Sequence, residues 1–170
     1  MKTRILPTLL VGLGGLFLVV AGWLIWQSGA RALSERVRLP ASLAGLALTS
    51  QQFGSEAVAA VTRMHGQEFA LVNGAVGMYG PQQNVVLWVS ETSSRRAAGG
   101  LVDAMRVKIA EGNSPFTPLE ARQDGDRLVY DLDGLGLKHF YFQSGRLVVW
   151  LAVDAQLADQ ALQECLEFYP

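Results

Sequence analysis

Apolar residues fall along this chain in three patterns: one long unbroken run, several short runs, and three stretches with helical spacing. The unbroken run is residues 5–26, ILPTLLVGLGGLFLVVAGWLIW, without a single charged side chain. Its 22 residues make a helix of roughly 33 Å, enough to cross a hydrocarbon core of about 30 Å. Pro7 falls in the first turn, where its missing N–H costs nothing, and Trp23 and Trp26 sit at the far end, where indole rings favour the membrane–water interface. Lys2 and Arg4 before the run and Ser28-Gly29-Ala30 after it also fit an export signal. The run is longer than the roughly 7–15 apolar residues of such signals, so the expectation is a retained, single-pass anchor.

The helical stretches come next. Residues 55–65, SEAVAAVTRMH, place Ala57, Val58, Val61 and Met64 on one face, with Ser55 as N-cap and Gly66 as the stop. Residues 94–111 turn Ala97, Leu101, Val102, Met105 and Ile109 inward, although Gly99-Gly100 weakens that helix. Residues 155–170 align Ala158, Ala161, Leu162, Cys165 and Tyr169, with Asp154 as the expected cap. Between them, EFALVNGAVGMY and NVVLWVS read as strands joined by the turn Gly80-Pro81-Gln82-Gln83. GNSPFTP reads as a loop. LEARQ and DRLVYDL form a hairpin around Asp124-Gly125, and LKHFYF and RLVVWLAVD form another around Gln143-Ser144-Gly145. SLAGLALTS opens the domain without a clear pattern.

Two segments resemble one another. NVVLWVSETSSRRAAGGLVDAM and RLVVWLAVDAQLADQALQECL both run Val-Val, Trp, an acidic residue, then an Ala/Leu-rich helix, and a turn and an apolar strand precede each. This hairpin-then-helix repeat predicts an α+β fold: an antiparallel sheet with helices on one face, ferredoxin-like, preceded by one transmembrane helix. The expected organisation is a cytoplasmic tail 1–4, the span 5–26, a juxtamembrane linker 27–41 and one domain 42–170. The positive flanks nearly balance, with Lys2 and Arg4 against Arg31, Arg36 and Arg38; the short charged tail favours the domain outside the cytoplasmic membrane.

Charge changes this picture little but excludes one class. Basic and acidic residues number 14 and 15, with no basic run, so nucleic acid has no electrostatic footprint here. One cysteine and two histidines permit neither an internal disulfide nor a Cys/His metal framework. In the span, Thr8, Gly12, Gly15 and Gly22 share a helical face, which suits close packing on another helix, although glycine is common in membrane helices anyway. GLGGLF lacks the preceding strand and the spacing of a phosphate loop.

Candidate chemistry is sparse. His65 stands at a helix end, where it meets the helix dipole, and His139 lies in a strand. Asp124, Asp126, Asp131 and Asp133 crowd two turns, but the loop lacks the third carboxylate and distal Glu of a calcium site. Cys165 sits on an apolar helix face, Trp88 and Trp150 occupy matching strands, and Arg95-Arg96 opens a helix. No stretch carries a family's signature. The expectation is a membrane-anchored, non-enzymatic interaction, sensing or accessory-subunit domain. It has no cofactor and no metal; its partners are the bilayer and a membrane protein or a second copy of itself. The alternative is a small α+β enzyme or cofactor-binding protein whose site gathers His65, His139 and Asp133 from distant positions.

Overall fold

The computed structural model describes residues 37–65, 69–112 and 114–170. The expected span, its small-residue face at Thr8, Gly12, Gly15 and Gly22, the linker up to residue 36, and the helix stop at Gly66 lie outside the described residues. Contacts divide the chain into Met1–Arg36 and Val37–Pro170, and the second unit is the folded domain described below.

Its strands are β1 (Ser42–Leu43), β2 (Leu46–Phe53), β3 (Leu71–Tyr79), β4 (Val85–Thr92), β5 (Phe116–Pro118), β6 (Arg122–Asp124), β7 (Arg127–Gly134), β8 (Leu137–Ser144) and β9 (Leu147–Val153). The helices are α1 (Ser55–His65), α2 (Arg95–Ala110) and α3 (Ala158–Phe168), the last entered through a 3₁₀ turn at Ala155–Leu157. All nine strands join one antiparallel sheet in the order β1-β2-β3-β4-β9-β8-β7-β5, with β6 also pairing β7. Among the described residues no helix is long and apolar enough to cross a membrane.

The α+β class and the hairpins at β3–β4 and β8–β9 follow the hydrophobic pattern, and the two matching segments end side by side. β4 and β9 pair in the centre of the sheet, with Trp88 opposite Trp150. Where the helices lie is a correction: they cover both faces, not one. Val85, Leu87 and Val89 share a face with Val149, Leu151 and Val153, and there they pack with Ala158, Ala161, Leu162 and Cys165 of α3. The opposite face carries Val148, Tyr141 and Leu132 beneath Ala98, Val102 and Ile109 of α2. α1 lies on that second face too, because a Cβ on Gly74 would meet Ala57 Cβ at 3.4 Å. The physical reason is the central strands themselves. VVLWV and LVVWLAV are apolar on both sides, and one layer of helices leaves half of that surface in water.

Three local expectations also change. Phe116–Pro118, read as loop, forms a short strand on Leu132–Gly134. The opening segment forms β1 and β2, an edge whose Thr49–Gln52 stretch is exposed and polar and so shows no alternation. The Asp154 side chain caps nothing, since it accepts a 2.7 Å hydrogen bond from Asn84 Nδ2 instead. By contrast Ser94 caps α2, its Oγ accepting from Ala97 N at 3.1 Å. Gly99 has a reason as well: a Cβ there would stand 3.2 Å from Gln143 Oε1, so the glycine lets α2 approach the sheet closely.

Candidate functional site

His139 sits on β8 with its side chain on the α2 face, cross-strand from Leu132 and Ala152. It is 4% exposed. Trp150 Nε1 approaches His139 Nδ1 at 3.2 Å, and His139 Nε2 lies 3.0 Å from the Gly134 carbonyl. Indole nitrogen only donates, so Nδ1 accepts, and Nε2 carries the hydrogen given to Gly134. The ring is therefore a neutral imidazole with both nitrogens occupied. Phe116 stands edge-on to it at 4.8 Å and also lies 5.2 Å from Trp150. From Trp150 a stacked row continues through Tyr141 at 5.3 Å to Tyr130 at 4.8 Å. Burial pushes the Tyr141 hydroxyl up to about 12.

Desolvation also lowers the His139 pKa from its ordinary value, against a weaker upward pull from the Gly134 carbonyl and then from Asp133. The sign of the pH effect follows. Below about 6.5 an unfolded histidine binds a proton that the folded one refuses. The stability due to neutral His139 is thus complete above that pH and is lost as pH falls toward the folded value. Urea midpoints measured from pH 7.5 to 5 will fall more steeply for the natural chain than for His139→Leu, whatever the starting stability of that variant. Equal slopes would mean that His139 titrates as it does in water.

A groove of about 620 Å³ opens on the α3 face, between α3 and the β6–β7 hairpin, floored by Val129, Leu162 and Leu166. Two arginines border it. Arg122 lies 5.3 Å from the Phe140 ring centre, and its Nε and Nη2 donate to Asp131 Oδ2 at 3.0 and 2.5 Å. That hydrogen bond raises the Arg122 pKa and keeps the guanidinium charged. Arg127 lies 5.5 Å from the Phe142 ring and pairs with Asp124 at 2.6 Å. It also donates to the Leu166 carbonyl at 3.2 Å and to the Tyr169 carbonyl, closing the C-terminal end of α3 with a positive charge. The donors that face this groove are thus engaged within the chain. The groove has an apolar floor of Val129, Leu162 and Leu166 between walls that carry Arg122, Arg127, Asp124, Asp159 and Glu167.

The sheet also holds a buried carboxylate. Glu91 is 2% exposed, on the same face as Val89. Its Oε1 takes a 2.6 Å bond from Arg146 Nη2, while its Oε2 has no hydrogen-bond partner among the described residues. Alternation from Val85 through Leu87 and Val89 already places residue 91 on the apolar side of β4, a signal that the sequence reading passed over.

His139 and Asp133 do not converge, and the His65 side chain lies outside the described residues. Asp133 lies cross-strand from Lys138 and bonds its Nζ at 2.7 Å, on the sheet face opposite to His139. α1, which ends at His65, lies over Gly74 of β3, and β4 and β9 separate β3 from β8. Asp124 and Asp131 are held by Arg127 and Arg122. Among the described residues no group of three or more His, Cys, Asp or Glu side chains is placed to hold a metal ion. Cys165 is wholly buried, and desolvation, with a smaller push from the Glu164 carboxylate, raises its thiol to about 12, so it is protonated at neutral pH. No family model, no curated protein and no solved structure matches this chain.

Proposed function

We propose that this chain is a membrane-tethered, non-enzymatic interaction module, held by residues 5–26 with its domain outside the cytoplasmic membrane, that works by binding a protein partner. The observation that carries the reading is the state of His139. The strand histidine that could serve as acid, base or ligand has both ring nitrogens occupied inside the core, by Trp150 and Gly134. A histidine used to lock two strands and an aromatic row has no lone pair or proton left for a substrate. Cys165, wholly buried on the inner face of α3, supports the same reading.

Native mass spectrometry of the protein taken from its own membrane in mild detergent tests it. The expected species begins at Met1, sits in the membrane fraction and carries a second polypeptide. A chain cut near Arg31, or one holding a haem, metal or small molecule in place of a polypeptide, would overturn the reading.

A further inference from the structure

We infer that the outer edge of β2 pairs with β2 of a second copy of this chain, joining two sheets into one across a two-fold axis beside Gln52. This rests on the interaction-module reading and names the partner. The two edges of the sheet differ. At one end β5 is three residues long and ends in Pro118, and β6 carries Arg122 and Asp124. Brevity, proline and charge are the usual means by which an edge resists pairing. At the other end β1 covers only Leu46 and Ala47, and β2 runs on beyond it to Phe53 with no charge, proline or glycine.

Among the described residues, the backbone specifies how much of that edge is open. Gly54 N donates to Gly74 O, and the register continues Phe53↔Ala75, Gln52↔Val76, Gln51↔Gly77. In an antiparallel pair successive residues point their N–H and C=O to alternate sides. Gly54, Gln52 and Ser50 therefore face β3, while Gln51 and Phe53 face outward. The next outward amide, Leu48 N, is already bonded to Ala41 O, and a bulge falls between Leu48 and Ser50. Gln51 and Phe53 are spaced evenly about Gln52, so a two-fold axis there sets Gln51 against Phe53 of the other copy, and the reverse. Each of these pairs exchanges both of its hydrogen bonds. The exposed side chains brought together, Ser50, Gln51 and Gln52, are neutral donors and acceptors that repel nothing. A lysine or glutamate at any of them would have met its own like charge.

A two-fold axis that continues an antiparallel sheet stands normal to it, so both copies keep α3 on the same side.

The test uses the full chain in detergent with Gln52→Cys. Directly opposed residues at such a position have Cα atoms about 4.5 Å apart, within the range a disulfide spans. Cys165 is fully buried and adds no background. Thr117→Cys, exposed on the opposite edge, is the control. Gln52→Cys is expected to form a covalent dimer at least tenfold faster than Thr117→Cys. The natural chain is expected at twice the single-chain mass, and Gln52→Lys at the single-chain mass. Equal cross-linking rates, or a Gln52→Lys chain that stays dimeric, would overturn the pairing, the latter placing the contact elsewhere. A different polypeptide bound to one copy would overturn self-pairing while leaving the module reading intact. A bound cofactor with no polypeptide would sink both.

Discussion

Arg146→Met will lower the unfolding free energy by about 2–3 kcal/mol, and Glu91→Leu on top of it will restore most of the loss. The reason is unequal exposure across the pair. Arg146 is 46% exposed and keeps much of its hydration, whereas Glu91 is 2% exposed and has only one satisfied oxygen. Removing the arginine leaves a charged group in the sheet with no counter-ion. Breaking a fully buried pair costs about 3–5 kcal/mol, and the half-exposed arginine moves the expectation to the lower end of that range or below it. Leucine at position 91 points the same way as Val89 and faces Leu147 across the strands, so an apolar side chain is at home there. The Arg146 carbonyl, which accepts from Thr92 N and Oγ1 at 3.0 Å each, is backbone and survives the change. Urea midpoints of the two single variants and the double variant measure the coupling. A midpoint for Arg146→Met equal to that of the natural chain would show that water reaches Glu91 and that the pair carries no stability.

How much of this domain its sequence discloses depends on what decides each feature. Strands such as Leu137–Ser144 and helices such as Ser55–His65 are legible because local alternation and helical spacing decide them. Which face of the sheet a helix covers is decided by how the chain leaves the preceding strand. α2 and α3 follow nearly matching strands and still go to opposite sides. The signal for two covered faces was present in Val85–Val89 and Val148–Val153, apolar at successive positions. The hairpin-then-helix repeat alone points to a one-sided fold. β2 escaped notice because an open edge has no buried partner to enforce alternation, and β5 because Pro115 and Pro118 read as loop residues. The polar pairs are the least legible. Trp150 and His139 lie 11 residues apart, and Glu91 and Arg146 lie 55 apart. No spacing rule joins either pair until the register of β8, β9 and β4 is fixed.

That register makes Gly134 the second sensitive position. Gly134→Ala is expected to cost about 2–3 kcal/mol, near the upper end of what one added methyl group does in a tight site. A Cβ at Gly134 would fall 2.5 Å from Phe116 Cδ1 and 2.8 Å from the Pro115 carbonyl oxygen. The ring can turn only against His139 and Trp150, which hold it at 4.8 and 5.2 Å, and the carbonyl can move only with the backbone. The relief open to the protein is to push β5 off β7, which loosens the ring wall around His139. Gly136→Ala two residues on is the matched control: there a Cβ meets nothing within 4 Å, and the cost comes from a φ of +79° alone, about 1–2 kcal/mol. The two variants therefore separate packing from backbone strain within one turn. The pH dependence gives a second reading of the same event. If β5 lifts, His139 becomes better solvated and its pKa rises toward the unfolded value, so the loss of stability on acidification that belongs to His139 shrinks in Gly134→Ala and persists in Gly136→Ala. A Gly134→Ala protein as stable as the natural one, with an unchanged pH slope, would mean that β5 yields without effort and is no part of the wall that keeps His139 neutral.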